Sequence, residues 1–181
     1  MSAASAAYLK LADFAARCRQ TALQLPSRQD VEEYWSGIGF LLDGRRYAAP
    51  LEQVTEILTV PSYTPVPGVM SWMKGIANVR GRLMAVMDLV GFLDKPVPSQ
   101  DEQRRLLVVD RGDLYTGLTV DEVYGIQYLP VTGFRQQVEQ ADPAMAPYLQ
   151  GSFERDGEIW PVFSIEQLAE DPRFLQVART G

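Results

Sequence analysis

The stretch from Gly75 to Leu89 holds the residues of this sequence whose types and spacing could carry chemistry, and it reads GIANVRGRLMAVMDL. The pattern predicts a strand, a tight turn and a second strand that runs into Asp88. An aspartate at the end of a strand can accept a phosphoryl group, bind a metal ion or cap a helix. Arg80, an arginine in so apolar a strand, also needs a physical reason.

The composition argues against most catalytic and metal chemistry. The sequence has no histidine and so lacks the commonest general base, the commonest zinc ligand and a phosphohistidine. Its one cysteine, Cys18, allows neither an internal disulfide nor a Cys-x-x-Cys metal pair, and a buried thiol is expected. No group of residues has metal-ligand spacing, and no glycine-rich phosphate-binding loop is present. We therefore expect no catalytic residue, no metal and no cofactor.

Length and charge are those of an ordinary globular protein. The 181 residues suffice for one large domain or two small ones, with 46% hydrophobic and 22% charged residues. A net charge of −6 and a pI near 4.7 disfavour a nucleic-acid partner, which calls for a positive face. The longest apolar runs are too short to span a bilayer, and the N-terminus lacks the pattern of an export signal. The cytoplasm is the expected compartment.

The pattern from Ala3 to Leu25 predicts an amphipathic helix that Pro26 ends. Its apolar face consists of Ala7, Leu11, Phe14, Cys18, Thr21 and Leu25. Such a face suits packing on the rest of the chain, which is the preferred interpretation, or docking on a partner helix.

Short strands and tight turns follow this helix, and they repeat. Asp-Gly or Arg-Gly pairs at 43–44, 111–112 and 156–157 accept the positive φ angles of a tight turn and predict three β-hairpins. The same spacing then recurs in two halves of the chain, at Gly75, Gly81 and Asp88 and at Gly151, Gly157 and Ser164. The sequence therefore predicts a duplicated, mainly β unit in which two small barrels bury a shared core, with the polar loop 95–103 between them.

This duplication also indicates a role for Asp88. It takes the place of Ser164, which opens the capping box Ser164-Ile-Glu-Gln167. We therefore interpret Asp88 as the N-cap of a short helix over residues 89–93. The alternative is a phosphoacceptor, as in receiver domains, which needs further acidic residues for magnesium and a lysine at a strand end. Here the early acidic residues are scattered in a helix, and Lys95 stands in a loop.

Several motifs in order resemble the CheW family of chemotaxis coupling proteins. They are Pro67-Gly68, Gly75-Ile-Ala-Asn78-Val-Arg-Gly, Val-Met-Asp88-Leu and Val120-Asp-Glu-Val123, within a match of about 36–169. The resemblance implies a CheW-like fold over residues 36–175: two SH3-like five-stranded β-barrel subdomains around a shared core, ending in a short C-terminal helix. Residues 1–35 would form an N-terminal helical extension, which is more similar to the PilI-type adaptors of type IV pilus (twitching motility) signalling.

The resemblance implies a non-enzymatic adaptor. It would couple the regulatory domain of a CheA-type histidine kinase to the cytoplasmic tip of a methyl-accepting chemoreceptor, in a membrane-associated array and without membrane insertion. The missing histidine agrees, because the phosphorylated histidine belongs to the kinase. Two alternatives are a phosphoacceptor receiver-like signalling domain and a ligand-binding β-barrel module, for which exposed aromatic residues in a groove would be the sign.

The resemblance also implies a partner-binding surface. Glu56 and Arg80 match a glutamate and an arginine that lie near each other at that surface in the family. The other residues expected there are Val54, Gly75, Asn78, Val120 and Val123. An ordinary surface ion pair contributes roughly 0 to 1 kcal/mol, which hardly explains an arginine in an apolar strand. Partner recognition is the better explanation, because charges at an interface set register and partner choice.

Overall fold

The computed structural model describes residues 32–97, 103–112, 114–138 and 141–178. The chain divides into two units, residues 1–32 and 33–181, and every element below belongs to the second. The helix predicted near the N-terminus and Cys18 lie outside the described residues. In the part of the chain that is described, no helix is long and apolar enough to cross a membrane.

Short strands dominate the described ranges. The strands are β1 (Tyr34–Leu42), β2 (Arg45–Pro50), β3 (Glu56–Thr59), β4 (Met73–Val79), β5 (Arg82–Asp88), β6 (Arg105–Arg111), β7 (Leu114–Val120), β8 (Glu122–Pro130), β9 (Phe134–Arg135), β10 (Leu149–Arg155) and β11 (Glu158–Phe163). The helices are α1 (Leu89–Phe92), α2 (Ile165–Glu170) and α3 (Pro172–Leu175), with single 3-10 turns at Leu51–Gln53, Val131–Gly133 and Ala146–Tyr148. The mainly β prediction is confirmed, and two short helices lie near the C-terminus where one was expected.

Two sheets are formed, and each takes strands from both halves of the chain. One has the order β8-β1-β2-β11-β10-β9 and the other β3-β6-β7-β5-β4. β3 leaves its own half to pair with β6, while β8 pairs with β1. Parallel pairs join β5 to β7 and β11 to β2, and the remaining neighbours are antiparallel. The two halves therefore share both sheets.

The duplication seen in the sequence recurs in the backbone. The β4–β5 and β10–β11 pairs each carry a register shift beside a glycine, at Gly75 and Gly151. A side-chain oxygen also accepts a hydrogen bond from a backbone amide at or near the β6–β7 and β1–β2 turns. The amide of Asp110 donates to Thr55 Oγ1 at 3.3 Å, and the amide of Asp43 donates to Asp121 Oδ2 at 2.7 Å.

One sheet has six strands where five were predicted. The extra strand is β9, whose two residues pair with β10 shortly after the chain leaves β8. In the five-stranded sheet the equivalent contact is an isolated bridge between Thr64, after β3, and Ile76 in β4. The difference is therefore one of length, since both segments return from one edge of a sheet to the other.

Apolar side chains separate into three clusters. Inside the five-stranded sheet lie Ala77, Met84, Val86, Leu106 and Val108. Inside the six-stranded sheet lie Ala48, Leu129, Phe153, Trp160 and Val162. A larger cluster, which includes Phe40, Trp72, Leu118 and Phe163, packs strands of both sheets against the helices. The shared core predicted from the duplication is this third cluster, and Trp72 and Met73 are part of it.

A glycine is required at position 75 for two reasons. Its φ is +155°, and a Cβ there would overlap the carbonyl oxygen of Thr64. We expect Gly75→Ala to lower the free energy of unfolding by about 3 kcal/mol or more, because backbone strain and overlap add. The control is Gly44→Ala, at φ +71° with open space around it, for which about 1 kcal/mol is expected. Urea denaturation measures both, and equal losses would contradict the overlap at position 75.

Lys95 joins the β1–β2 turn to the segment before β10. Its Nζ contacts the carboxylates of Asp43 and Asp142. The hydrogen bond from Lys95 holds the pKa of Asp142 below its usual range. A carboxyl whose pKa is lowered by folding stabilises the protein above its ordinary pKa, near 4, and this contribution is lost as the pH falls through the lower value.

We therefore expect Lys95→Met to change the acid limb of the stability curve. The variant should be less stable than the parent near neutral pH, and the difference should shrink as the pH falls below about 4. Urea denaturation at a series of pH values measures this. A difference that stays constant down to about pH 2 would show that Lys95 stabilises the fold by packing alone.

Candidate partner-binding site

Arg80 lies in the β4–β5 turn and not within a strand, where the sequence analysis had placed it. It is the first residue of the turn, with φ +52°, and Gly81 follows with φ +83°. Asn78 stabilises this turn, because its Oδ1 accepts a hydrogen bond from the Gly81 amide at 2.9 Å. Arg80 therefore lies in a tight turn that projects from the end of the sheet.

Arg80 and Glu56 form an ion pair, which places the two predicted residues together. Glu56 is the first residue of β3, at the opposite edge of the five-stranded sheet from β4. The Arg80 side chain is 75% exposed, whereas that of Glu56 is 29% exposed. Most of the guanidinium therefore remains free to contact another molecule.

A second ion pair lies beside the first, and the sequence analysis missed it. Arg82, the first residue of β5, donates to both carboxylate oxygens of Asp110, one of them at 3.1 Å. Its guanidinium also lies 3.9 Å from the ring centre of Tyr115 on β7. These hydrogen bonds hold the pKa of Asp110 below its usual range. Asp110 in turn bonds through its amide to Thr55, the residue before Glu56.

These residues make a charged rim at one end of the five-stranded sheet, which we call the basic-turn rim. It consists of Glu56, Arg80, Arg82, Asp110 and Tyr115. The β4–β5 hairpin supplies both arginines, and strands β3 and β6 supply both carboxylates. Exposed apolar residues flank this rim on β4 and β5, where Leu83 is 70% exposed and pairs with Asn78. Charge next to exposed apolar surface is the composition of a protein interface.

The structure brings Asn78 to this rim but leaves three other predicted site residues away from it. Val120 lies at the far end of β7 from Tyr115, Val123 lies on β8 in the six-stranded sheet, and Gly75 pairs with Val86. Val54 and Val123 are partly buried and pack against the shared core. Val120 is completely buried in that core, and Gly75 lies in the β4 bulge. In this structure the predicted side chains that a partner could touch at the rim are therefore those of Arg80, Glu56 and Asn78.

Asp88 is a helix cap, as the duplication implied. Its Oδ1 accepts from the Gly91 amide at 3.2 Å, as Ser164 Oγ accepts from the Gln167 amide at 3.2 Å. Its side chain is 1% exposed, and both of its oxygens accept hydrogen bonds from Arg104, at 2.9 and 3.1 Å. A carboxylate so enclosed presents no free oxygen to a phosphoryl donor, which argues against the receiver-like alternative.

The described residues hold no metal-ligand cluster, and the cavity beside α2 lacks an aromatic lining. No group of three or more acidic, cysteine or histidine side chains among them could hold a metal ion. A cavity of about 360 Å³ lies between the β6–β7 hairpin and α2, but its lining contains no aromatic residue. The lining residues are Gln53, Val109, Arg111, Leu114, Ile165, Glu166, Ala169 and Leu175. The exposed aromatic groove that a ligand-binding module would show is not found there.

Known proteins are similar to this chain in sequence and in fold. The family described as CheW-like domain matches residues 36–173. Protein PilI of Pseudomonas aeruginosa is 45% identical over 178 residues, which are 98% of this chain and 99% of that protein. Protein FrzA of Myxococcus xanthus is 29% identical over 87% of this chain and 97% of its own length. The chemotaxis protein CheW of Bacillus subtilis is 30% identical over 77% of this chain and 80% of its own length.

A solved structure supports the fold independently. The scaffolding protein TtCheW from Thermoanaerobacter tengcongensis superimposes with a TM-score of 0.68 at 19% identity, covering 78% of this chain and 96% of that one. The order of motifs, the shared core and these similarities agree. The chain belongs to the CheW-like family, whose members are non-enzymatic adaptors of chemotaxis-type signalling.

Proposed function

We propose that this adaptor couples the regulatory domain of a CheA-type histidine kinase to the cytoplasmic tip of a methyl-accepting chemoreceptor, and that the basic-turn rim is one of its contact surfaces. The observation that carries the proposal is the Arg80–Glu56 pair, which is exposed at the end of a sheet. Its arginine needs a positive φ, which a non-glycine residue adopts only at a cost.

The energies favour recognition over stability as the role of this pair. A surface ion pair stabilises a fold by roughly 0 to 1 kcal/mol. The same charges at the edge of an interface steer association, fix register and exclude wrong partners. If Arg80 served only to stabilise the fold, its side chain would not need to be largely exposed. Contact with a partner does require this exposure.

The pathway we propose is the chemotaxis-like system that controls type IV pili and twitching motility. The similarity to PilI over almost the whole chain supports it, because that similarity extends beyond the residues matched by the CheW-like family. The adaptor would then work in the cytoplasm, held at membrane-bound receptor arrays by its partners. The helical extension expected over residues 1–35 would end earlier, because β1 of the domain already begins at Tyr34, and the domain would reach to about residue 175.

We also infer that each sheet closes into an SH3-like barrel of five strands. The Thr64–Ile76 bridge supports closure of one sheet, and the pairing of β9 with β10 supports closure of the other. The separate apolar cluster inside each sheet agrees with two enclosed interiors. Two barrels would leave their ends, including the basic-turn rim, as the surfaces available for partners.

The test is reconstitution of a bridge. The full chain is titrated by calorimetry against a CheA-type regulatory domain and, separately, against a receptor-tip fragment. Retention of the kinase domain by the immobilised receptor fragment is then measured with and without the adaptor. We expect retention only when the adaptor is present. Binding to neither protein, or kinase retention that does not depend on the adaptor, would contradict the proposal.

A further inference from the structure

The cavity between the β6–β7 hairpin and α2, which we call the α2 cavity, has the size and walls of a small-ligand site. Its volume of about 360 Å³ falls in the range of such sites, roughly 300 to 1,000 Å³. Most of its lining is aliphatic, including Val109, Leu114 and Ile165. The hairpin belongs to the five-stranded sheet, whereas α2 follows a strand of the six-stranded sheet. A ligand there would contact both halves of the chain.

The duplication shows how the equivalent place in the first half is closed. There Lys95, which follows α1, contacts Asp43 in the β1–β2 turn and so joins helix to hairpin. The residue after α2 at the same distance from its helix cap is Asp171. Asp171 instead caps α3 and accepts a hydrogen bond from the hydroxyl of Tyr148. The residue that bridges helix and turn in the first half therefore has a different role in the second, where the cavity lies.

The polar side chains of the α2 cavity are mainly hydrogen-bond donors. The side-chain oxygen of Gln53 accepts from the Ile165 amide at 2.8 Å, which leaves its NH₂ group as the donor. Arg111, in the β6–β7 hairpin, is 61% exposed and contacts Glu166 at 2.8 Å. Glu166 is itself 45% exposed, and an ion pair so exposed is weak. A guanidinium also has more donors than one carboxylate oxygen uses. The cavity therefore offers donors to an anionic head group beside aliphatic walls.

We propose that the α2 cavity binds an aliphatic carboxylate of medium chain length. Its hydrocarbon chain would lie against Val109, Leu114 and Ile165, and burial of that chain would supply affinity. Its carboxylate would accept hydrogen bonds from Arg111 and Gln53, since a guanidinium matches a planar carboxylate. Glu166 would give up its contact with Arg111 and turn to solvent. This small-molecule site does not depend on the proposed function.

The experiment is titration of the full chain with octanoate, followed by NMR of the methyl groups. We expect saturable shifts confined to the methyl signals of the cavity walls. Acetate lacks the hydrocarbon chain and octylamine has the opposite charge, so each should bind at least about tenfold more weakly. Ala169→Leu, which fills part of the cavity, should abolish octanoate binding while the chain remains folded.

Two variants test the contact with the carboxylate. Arg111→Met should weaken octanoate binding at least about tenfold, because a charge-assisted hydrogen bond is lost. Glu166→Gln should instead tighten it, because a competing carboxylate is removed while the size of the side chain is kept. Non-specific uptake by an apolar surface would give neither change. The matched control is Arg135→Met. Arg135 is 60% exposed and contacts Glu154 outside the cavity, so this variant should bind octanoate like the wild type.

Three results would overturn the proposal. They are the absence of octanoate-dependent shifts at the cavity walls, octylamine binding as tight as octanoate binding, and an unchanged affinity in Arg111→Met. If Arg111→Met melts early, Arg111→Gln replaces it, and the same weakening is expected. A chain that binds no octanoate but still bridges the kinase domain and the receptor fragment would leave the proposed function intact.

Discussion

Arg80→Ala is expected to lower the affinity for a CheA-type regulatory domain about thirtyfold, which corresponds to about 2 kcal/mol, while leaving the thermal midpoint nearly unchanged. The side chain is largely exposed and its one internal ion pair is with Glu56, so its removal costs the fold little. At an interface the same guanidinium would be desolvated against an acidic group. The measurement is calorimetric titration with kinase domain and receptor fragment, beside thermal melts of each variant.

Changes at Glu56 extend this test. Glu56→Arg should damage binding comparably, because it places two cations together at the rim. The double variant Glu56→Arg, Arg80→Glu restores the internal pair but should recover little affinity, since the partner also contacts the charges in their original order. Full recovery in the double variant would show that the pair acts only by holding the turn. Unchanged binding by Arg80→Ala, or a melt that collapses with it, would make the arginine structural.

Most of the fold could be predicted because it repeats. Asp-Gly and Arg-Gly pairs predicted the hairpins, and the recurrence of glycines at the same spacing indicated a duplicated unit. The cap at Asp88 followed from the same overlay, since Ser164 at the equivalent place opens a recognisable capping box. Turns and helix caps depend on residues that are close in the sequence, so they can be predicted without a structure.

Pairings between distant side chains could not be predicted in this way. Arg82 and Asp110 are 28 positions apart, and Arg104 and Asp88 are 16 apart, with no periodicity to connect them. Arg80 occupies a turn position with a positive φ, which arginine does not favour. Its residue type therefore gave no sign that it lies in the turn. Val120 was assigned to the partner surface by resemblance alone. It is buried because β7 is enclosed on both faces, with its last five residues all buried and Leu118 and Val120 in the shared core.

The second large effect is expected at Asp88, where capping and ion pairing meet. Asp88→Ala removes a helix cap and also takes the bidentate partner from the guanidinium of Arg104, which is 11% exposed and keeps the longer contact of 3.8 Å to Asp121. Breaking a buried ion pair by removing one partner typically costs about 3 to 5 kcal/mol, more than the cap alone. We therefore expect a loss of about 4 kcal/mol, which for a domain of this size lowers the melting temperature by roughly 10 °C.

The duplication supplies the matched control for this prediction. Ser164 caps α2 at the equivalent place without a charged partner, and Gln150 donates to its hydroxyl at 3.2 Å. Ser164→Ala should therefore cost only about 1 kcal/mol, the typical value for a lost cap. Adding Arg104→Met to Asp88→Ala should recover much of the larger loss, because it removes the stranded charge while keeping a side chain of similar length. Urea denaturation of the three variants and the parent measures these differences. If Asp88→Ala and Ser164→Ala lose the same amount, the buried ion pair contributes nothing and Asp88 is a cap alone.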